Sequence, residues 1–443
     1  MKYKVGFVSL GCPKNLTDTE TMIGLLKNDY QLETNPQKAD IIIVNTCGFI
    51  ESAKQESIDT IIEMGEYKNV GRLKKLIVTG CLAQRYSREI LEQLPEVDAV
   101  VGSASFIDIK TVLNEVTFGE NRIFMRDINE TVPENLPRVL STPKYSAYLK
   151  IADGCNNKCT YCVIPQIRGK YRSRKIEDIV AEATRLAEGG VREIILIAQD
   201  TTYYGVDLYK KKMIAPLLKE LAKIEKLRWI RVHYCYPEMI DDELIETFKN
   251  TEKICPYIDI PFQHASDAVL KSMARRSSFE KNCRLIEKLR ENVKDIYIRS
   301  SFIVGFPGET EQDFEILKEF IKFARLDRLG VFTYSAEEGT PAAEMDGQID
   351  SDLKEKRREE IMEIQKQISK EKCGEKIGTV IEVLCEGECG KNLFQGRSRG
   401  DSPEIDGKVV FKSKEKICPG DFVKVKIKKA YNYDLEGDFV EYC

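Results

Sequence analysis

Three times in the first hundred residues a β-branched apolar run ends in a cysteine with a glycine beside it. The runs are Lys4–Leu10, Asp40–Asn45 and Leu76–Thr79, and the cysteines are Cys12, Cys47 and Cys81. A fourth apolar run covers Val97–Val101. Helical patterns fall between and after them, over Leu16–Lys27, Glu51–Met64, Arg85–Gln93 and Phe106–Asn114. This βαβα rhythm predicts an α/β fold with a mostly parallel sheet, whose ligands bind beyond the carboxyl ends of the strands. Parallel strands bring all three thiols to one rim. Three converging thiolates suit an iron–sulfur cluster with one iron left open. The alternative is three small buried residues at strand ends.

The chain has 443 residues, about three domains' worth. Its net charge of −4 does not point to a strongly basic nucleic-acid binder. Fourteen cysteines stand against two histidines, which leaves little room for His-rich metal sites or a Ser-His-Asp triad. No apolar run reaches the roughly 18 residues of a membrane span. The first ten residues read as a strand rather than a signal peptide, so a cytoplasmic protein with reduced thiols is expected.

Pro133, Pro137 and Pro143 mark a linker. The strand Tyr145–Ala152 follows, and then Cys155-Asn-Asn-Lys-Cys159-Thr-Tyr-Cys162. This Cys-x-x-x-Cys-x-x-Cys loop brings three thiolates within reach of one cluster, with no fourth Cys or His nearby to complete a zinc site. Further strands are expected at Glu193–Ala198, Trp229–His233, Tyr257–Ile260, Tyr297–Val304 and Leu329–Tyr334, with helices between them. Six βα units make a partial, open (β/α)6 barrel with its functional residues at the carboxyl ends of the strands.

From Glu375 the texture changes to short alternating strands separated by Gly-rich turns, which predicts a small β-barrel of OB-like type. Alternation puts Lys424, Lys426 and Lys428 on one face. Positive and negative charges in this segment nearly balance, which suits a basic protein partner at least as well as RNA. Cys385 and Cys389 flank a turn-like Glu-Gly-Glu and lack regular ligand spacing.

A three-cysteine loop after the first strand of a partial barrel resembles the radical S-adenosylmethionine (SAM) superfamily. The three-cysteine domain ahead of it resembles the methylthiotransferases. The similarity runs over nearly the whole chain, as 1–132 (methylthiotransferase domain), 141–372 (radical SAM core) and 373–443 (TRAM domain). Ser-Leu-Gly-Cys-Pro-Lys-Asn (9–15), Arg-Gly-Lys-Tyr-Arg-Ser-Arg (168–174), Asp-Ile-Pro-Phe-Gln-His-Ala-Ser-Asp (259–267) and Tyr-Ser-Ala-Glu-Glu-Gly-Thr-Pro (334–341) resemble the branch that modifies an aspartate of small-subunit ribosomal protein S-twelve.

The resemblance implies a 4Fe–4S cluster on Cys155, Cys159 and Cys162, with SAM at its open iron. It implies a second 4Fe–4S cluster, on Cys12, Cys47 and Cys81, that carries sulfur. One electron, from a low-potential donor such as flavodoxin or ferredoxin, would cleave SAM to a 5′-deoxyadenosyl radical. That radical would take hydrogen from the aspartate β-carbon, and a second SAM would donate the methyl group. The tRNA adenosine next to the anticodon is the alternative substrate.

Gln199, Asp200, Arg299, Ser301, Gly305 and Gly308 are cofactor-binding candidates at strand ends. Asp200 is otherwise a turn cap. The superfamily pattern Gly-x-Ile-x-Gly-x-x-Glu is departed from, because Ser301 replaces the first Gly and Gly308 stands at the Glu position. Arg168, Arg172 and Arg174 are candidates to pair with carboxylates of SAM or of the target aspartate. His264 is expected at the barrel mouth facing substrate, and His233 as a packed strand residue.

Overall fold

The computed structural model describes residues 2–118 and 122–443. The central strand of the first sheet, Ile41–Thr46, is buried at every position, which accounts for its unbroken apolar run. Its side chains alternate between two cores. Ile41 and Ile43 pack with Met22, Ile109 and Leu113 on one face, and Ile42 and Val44 pack with Ile61, Met64 and Leu82 on the other. Six parallel strands lie in the order Gln31–Leu32, Lys4–Ser9, Ile41–Thr46, Lys75–Gly80, Ala99–Val101, Ile123–Phe124. The chain order therefore reverses between Lys4–Ser9 and Ile41–Thr46, and a crevice opens beyond the carboxyl ends there. The two edge strands of two residues each are too short to show a period in the sequence.

The second sheet is also wholly parallel. Its six strands, Ser146–Lys150, Glu193–Ile197, Trp229–Val232, Ile254–Asp259, Tyr297–Val304 and Arg328–Thr333, neighbour one another in chain order and form the expected open barrel. Leu149, Ile194 and Leu196 face the outer helices, whereas Tyr148, Ile195 and Ile197 form an inner group with Leu16 and Tyr234. Leu16 belongs to the helix Pro13–Leu26 of the first sheet's layer, so the two units share packing at the barrel mouth. The linker crosses the same helix at Gly24. A Cβ there would lie 2.2 Å from the Pro137 carbonyl oxygen, so only glycine admits the crossing.

The third unit is a closed five-stranded barrel made of Val380–Gly390, Leu393–Ser398, Val409–Lys412, Phe422–Ala430 and Leu435–Tyr442. Along Phe422–Ala430, Lys424, Lys426 and Lys428 are exposed while Val423, Val425 and Ile427 are buried, as alternation requires. One expectation is corrected. Cys385 and Cys389 lie within the bulged strand Val380–Gly390 rather than about a turn, because its partner Leu393–Ser398 keeps pairing through Gly390.

Residues 397–406 of this unit enter the open barrel from the amino ends of its strands. Arg397 pairs with Glu193 (2.7 Å), Arg328 with Asp401, and Ser402 Oγ meets His233 Nε2 (2.9 Å). Tyr257 Oη donates to Asp406 (2.7 Å), and Gly400 lies flat against the Tyr297 ring. The barrel interior is thus floored by a polar plug. His233 is packed, as expected, but lies one residue past the strand Trp229–Val232 rather than within it.

Candidate functional site

The first cysteine rim is held by glycines and one asparagine. Gly11 (φ +80°) precedes Cys12, and a Cβ on it would fall 2.7 Å from the Cβ of Cys47. Gly80 (φ +96°) precedes Cys81, and a Cβ on it would fall 2.3 Å from Asn45 Oδ1. The loops after neighbouring strands can therefore close on one another only with glycine at these two places. Asn15 ties all three loops. Its amide donates to the carbonyls of Leu10 (3.2 Å) and Thr46 (2.9 Å), and its oxygen lies 3.7 Å from Cys81 Sγ. Burial pushes the Cys47 thiol up to about 12, with Cys81 and Cys12 adding to the shift, and burial also raises Cys81.

The second set occupies the loop after the first barrel strand. Cys155 N–H donates to the Gly169 carbonyl (3.0 Å), Cys162 N–H to the Cys159 carbonyl (3.1 Å), and Asn157 N–H to Cys155 Sγ (3.4 Å). Tyr236 Oη lies 3.8 Å and Arg275 Nη1 4.0 Å from Cys159 Sγ, with the guanidinium stacked 4.2 Å over the Tyr236 ring. Burial raises Cys155 to about 11 and Cys162 to about 12.

All six cysteines are free thiols. Among the described residues no three Cys, His, Asp or Glu side chains converge closely enough to hold a single metal ion. A soft, three-thiol donor set of this looser kind fits a cluster, which spreads its ligands over several irons, better than one tetrahedral ion.

The short helix Ile164–Arg168 joins the two sets. Arg168 is buried, donates to Asp18 (2.6 Å) and Asn15 (2.5 Å), reaches Asp153 (3.4 Å), and lies 3.7 Å from Cys81 Sγ. The next residue, Gly169, supplies the carbonyl that holds Cys155. Both of the carboxylates that Arg168 pairs with are thus internal to the chain. Arg174 likewise pairs with Glu134 (2.8 Å) and Glu182 (2.7 Å). Arg172 bonds only carbonyls, those of Lys170 and Arg168, and lines a charged cleft beside Asp153.

Gln199 donates to Asp153 (3.0 Å) and leaves its buried Oε1 without a partner. Asp200 accepts from Tyr203 N–H (3.1 Å) as a turn cap, and also from Asn157 (3.1 Å), so it anchors the cysteine loop as well. Arg299 pairs with Asp259 (3.0 Å) and lies 3.7 Å from Asp406 of the plug. The Ser301 carbonyl accepts from Gln263 N–H (2.9 Å). Gly305 and Gly308 both have positive φ, and only Gly308 has open space where its Cβ would be.

His264 departs from expectation. It is fully buried rather than at the mouth, with Nδ1 accepting from Ser266 N–H (3.0 Å), and burial pushes it down to about 3. The segment after Ile254–Asp259 runs on alongside Tyr297–Val304 through Gln263, and His264 then packs against Glu309 (3.7 Å). Glu309 sits one position beyond the place the superfamily pattern assigns to its Glu, so the pattern does not mark it. It accepts from Gly305 N–H (2.7 Å) and Phe306 N–H (3.1 Å) and pairs with Arg357 (3.0 Å), so it shapes the glycine turn from within. Asn15, Arg275 and Tyr236 also carry no local sequence signal, since their partners lie far away in the chain.

Comparison with known proteins adds three matches to domain families. Residues 149–321 match the radical SAM superfamily, 377–440 the TRAM domain, and 4–102 a family described as uncharacterized protein family UPF0004. The chain is 52% identical over 436 residues to the ribosomal protein uS12 methylthiotransferase RimO of Clostridioides difficile (strain 630), covering 98% of each chain. It is 54% identical over 437 residues to the protein of the same name in Caldanaerobacter subterraneus subsp. tengcongensis, covering 98% of this chain and 99% of the relative. A solved radical SAM methyltransferase, TsrM from Kitasatospora setae, shares the fold with a TM-score of 0.57 at 13% identity, over 88% of this chain and 79% of that one.

Proposed function

Because the chain belongs to the RimO family of ribosomal protein uS12 methylthiotransferases, we propose that it places a methylthio group on the β-carbon of an aspartate in uS12. The family's cofactors are two 4Fe–4S clusters and SAM. Cys155, Cys159 and Cys162 are proposed to hold the cluster that works with SAM, and Cys12, Cys47 and Cys81 the other. Bound there, these groups supply the radical, sulfur and methyl chemistry that acid–base residues lack for an unactivated C–H bond. The donor is proposed to be a low-potential flavodoxin or ferredoxin.

The observation that carries this reading is the helix Ile164–Arg168. Through Arg168 it touches Cys81, and through the adjoining Gly169 it fixes Cys155, so one rigid step sets the spacing of the two thiol sets. The substrate carbon is proposed to be presented between them. The chain's residues do the positioning. Asn15 holds the first rim, Asn157 and Asp200 hold the cysteine loop, and Glu309 with Arg357 holds the Gly305 turn. Arg275 and Tyr236 close the flank of Cys159 against water. Among the described residues no helix is long and apolar enough to cross a membrane.

Anaerobic reconstitution followed by assay on uS12, alone and in ribosomes, and on tRNA tests the proposal. Mass spectrometry should show a methylthio group on one uS12 aspartate; modification of tRNA alone would overturn it. Cys159→Ala should lose SAM cleavage. Cys81→Ala should keep SAM cleavage and lose transfer of the methylthio group.

A further inference from the structure

Beside the first thiol set lies a buried cation that, among the described residues, has no ion-pair partner. Lys14, two residues after Cys12, is 8% exposed. Its Nζ donates to the carbonyl of Ala198 (3.3 Å), just past the second barrel strand, and stands 3.6 Å over the ring of Tyr234, just past the third. Tyr234 is itself fixed in the left-handed region (φ +60°), its N–H donating to Asp259 (3.1 Å). The ammonium is therefore held at the barrel mouth, under the first cysteine loop.

Its neighbours are already neutralised. Arg168 and Lys150 share Asp18 and Asp153, Arg299 has Asp259, and Arg275 lies 3.9 Å from Glu238. Among the described residues Lys14 has no carboxylate within ion-pair distance. In direct contact Lys14 meets only a carbonyl and an aromatic ring; Cys12, Asp153 and Asp259 act on it from farther off and Arg168 opposes them, so the ammonium lacks a close counter-ion that an incoming anion supplies.

We propose that Lys14 receives the side-chain carboxylate of the target aspartate; this rests on the function proposed above. The β-carbon is bonded directly to the carboxylate carbon. Gripping the carboxylate therefore leaves the reacting carbon one bond from the gripped group, at the barrel mouth beside the first thiol set. Lys14 is thus a specificity-determining residue: it distinguishes aspartate from the isosteric asparagine, which brings no charge to the pair.

The test measures binding without turnover. Reconstituted holoenzyme with SAM but no reductant is titrated with fluorescently labelled uS12 and with uS12 carrying asparagine at the modified position. The unsubstituted enzyme should prefer the aspartate form by about tenfold or more. Lys14→Met should bind both forms alike, near the affinity of the unsubstituted enzyme for the asparagine form, and Lys14→Arg should restore part of the preference. Iron content and thermal unfolding of each variant show that it is folded and loaded. Retention of the full preference by Lys14→Met, or its absence from the unsubstituted enzyme, overturns the assignment of Lys14. Failure of the unsubstituted enzyme to modify uS12 at all removes the functional premise, and the inference with it.

Discussion

Arg168 shows how much one side chain can hold. It is buried against Asp18 and Asp153, and among the described residues Lys150 is the other cation within ion-pair distance of those carboxylates. Burial opposes the charge on Asp153, yet Lys150 and Arg168 together hold its carboxyl well below the usual range. Arg168→Met leaves two buried carboxylates with a single cation, and breaking such a pair costs about 3 kcal/mol or more. Urea unfolding of the protein before cluster loading should show a loss of that size. Arg168→Lys should recover only part of it, because an ammonium cannot reach Asn15 and both carboxylates at once. In the sequence Arg168 is one member of a basic run, with Arg172 and Arg174, and nothing local separates the three. The partners of Arg168 and Arg174, namely Asp18, Glu134 and Glu182, arrive from elsewhere in the chain, which is why these two read as part of a carboxylate-binding patch before folding and as internal bracing after it, while Arg172 bonds local carbonyls.

Among the elements, the sheets were legible and the plug was not. The strand Tyr297–Val304 is found where its apolar run predicts it, since its period of two reflects its own two faces. Both thiol sets were visible for the same reason: strand ends and short loops are local features. The floor of the barrel is built from residues 397–406, which lie far along the chain from every strand they touch, and polar residues in a β-rich segment signal only a turn. The plug makes a definite prediction. Asp406→Ala removes the acceptor of Tyr257 Oη and of Ser402 N–H and leaves Arg299 with Asp259 alone. A destabilisation of about 2–3 kcal/mol is expected by chemical unfolding. Truncation before the third unit should leave the central barrel susceptible to limited proteolysis and without a cooperative thermal transition.

For the molecule as a whole, two buried histidines set the acid limit. Burial pushes both His233 and His264 down to about 3, against 6.5 when unfolded. His233 lies among Asp259, Arg231, Arg299 and Lys14, and His264 among Asp313, Glu309 and Arg357. The unfolded chain therefore binds more protons between those values. Their contribution is complete above pH 6.5 and is lost as pH falls toward 3, by up to about 4 kcal/mol each. Glu309 works the other way: burial raises it to about 6, so its share is lost as pH rises through 6, and it is the smaller shift. Stability measured from pH 8 to 5 should fall on the acid side, and His264→Asn should flatten the slope.

The polar floor also bears on the order in which the protein is made. Residues 397–406 are synthesised after all six barrel strands, so during translation there is an interval when the strands exist and some of their inner charges do not have their partners. Glu193 then lacks Arg397 and Arg328 lacks Asp401, whereas Arg231 and Arg299 already have Glu193 and Asp259 within the barrel. A chain ending within this interval has both cysteine sets and lacks residues 397–406. The polar floor of the central barrel is thus the part of it completed last, by residues that belong to the small barrel.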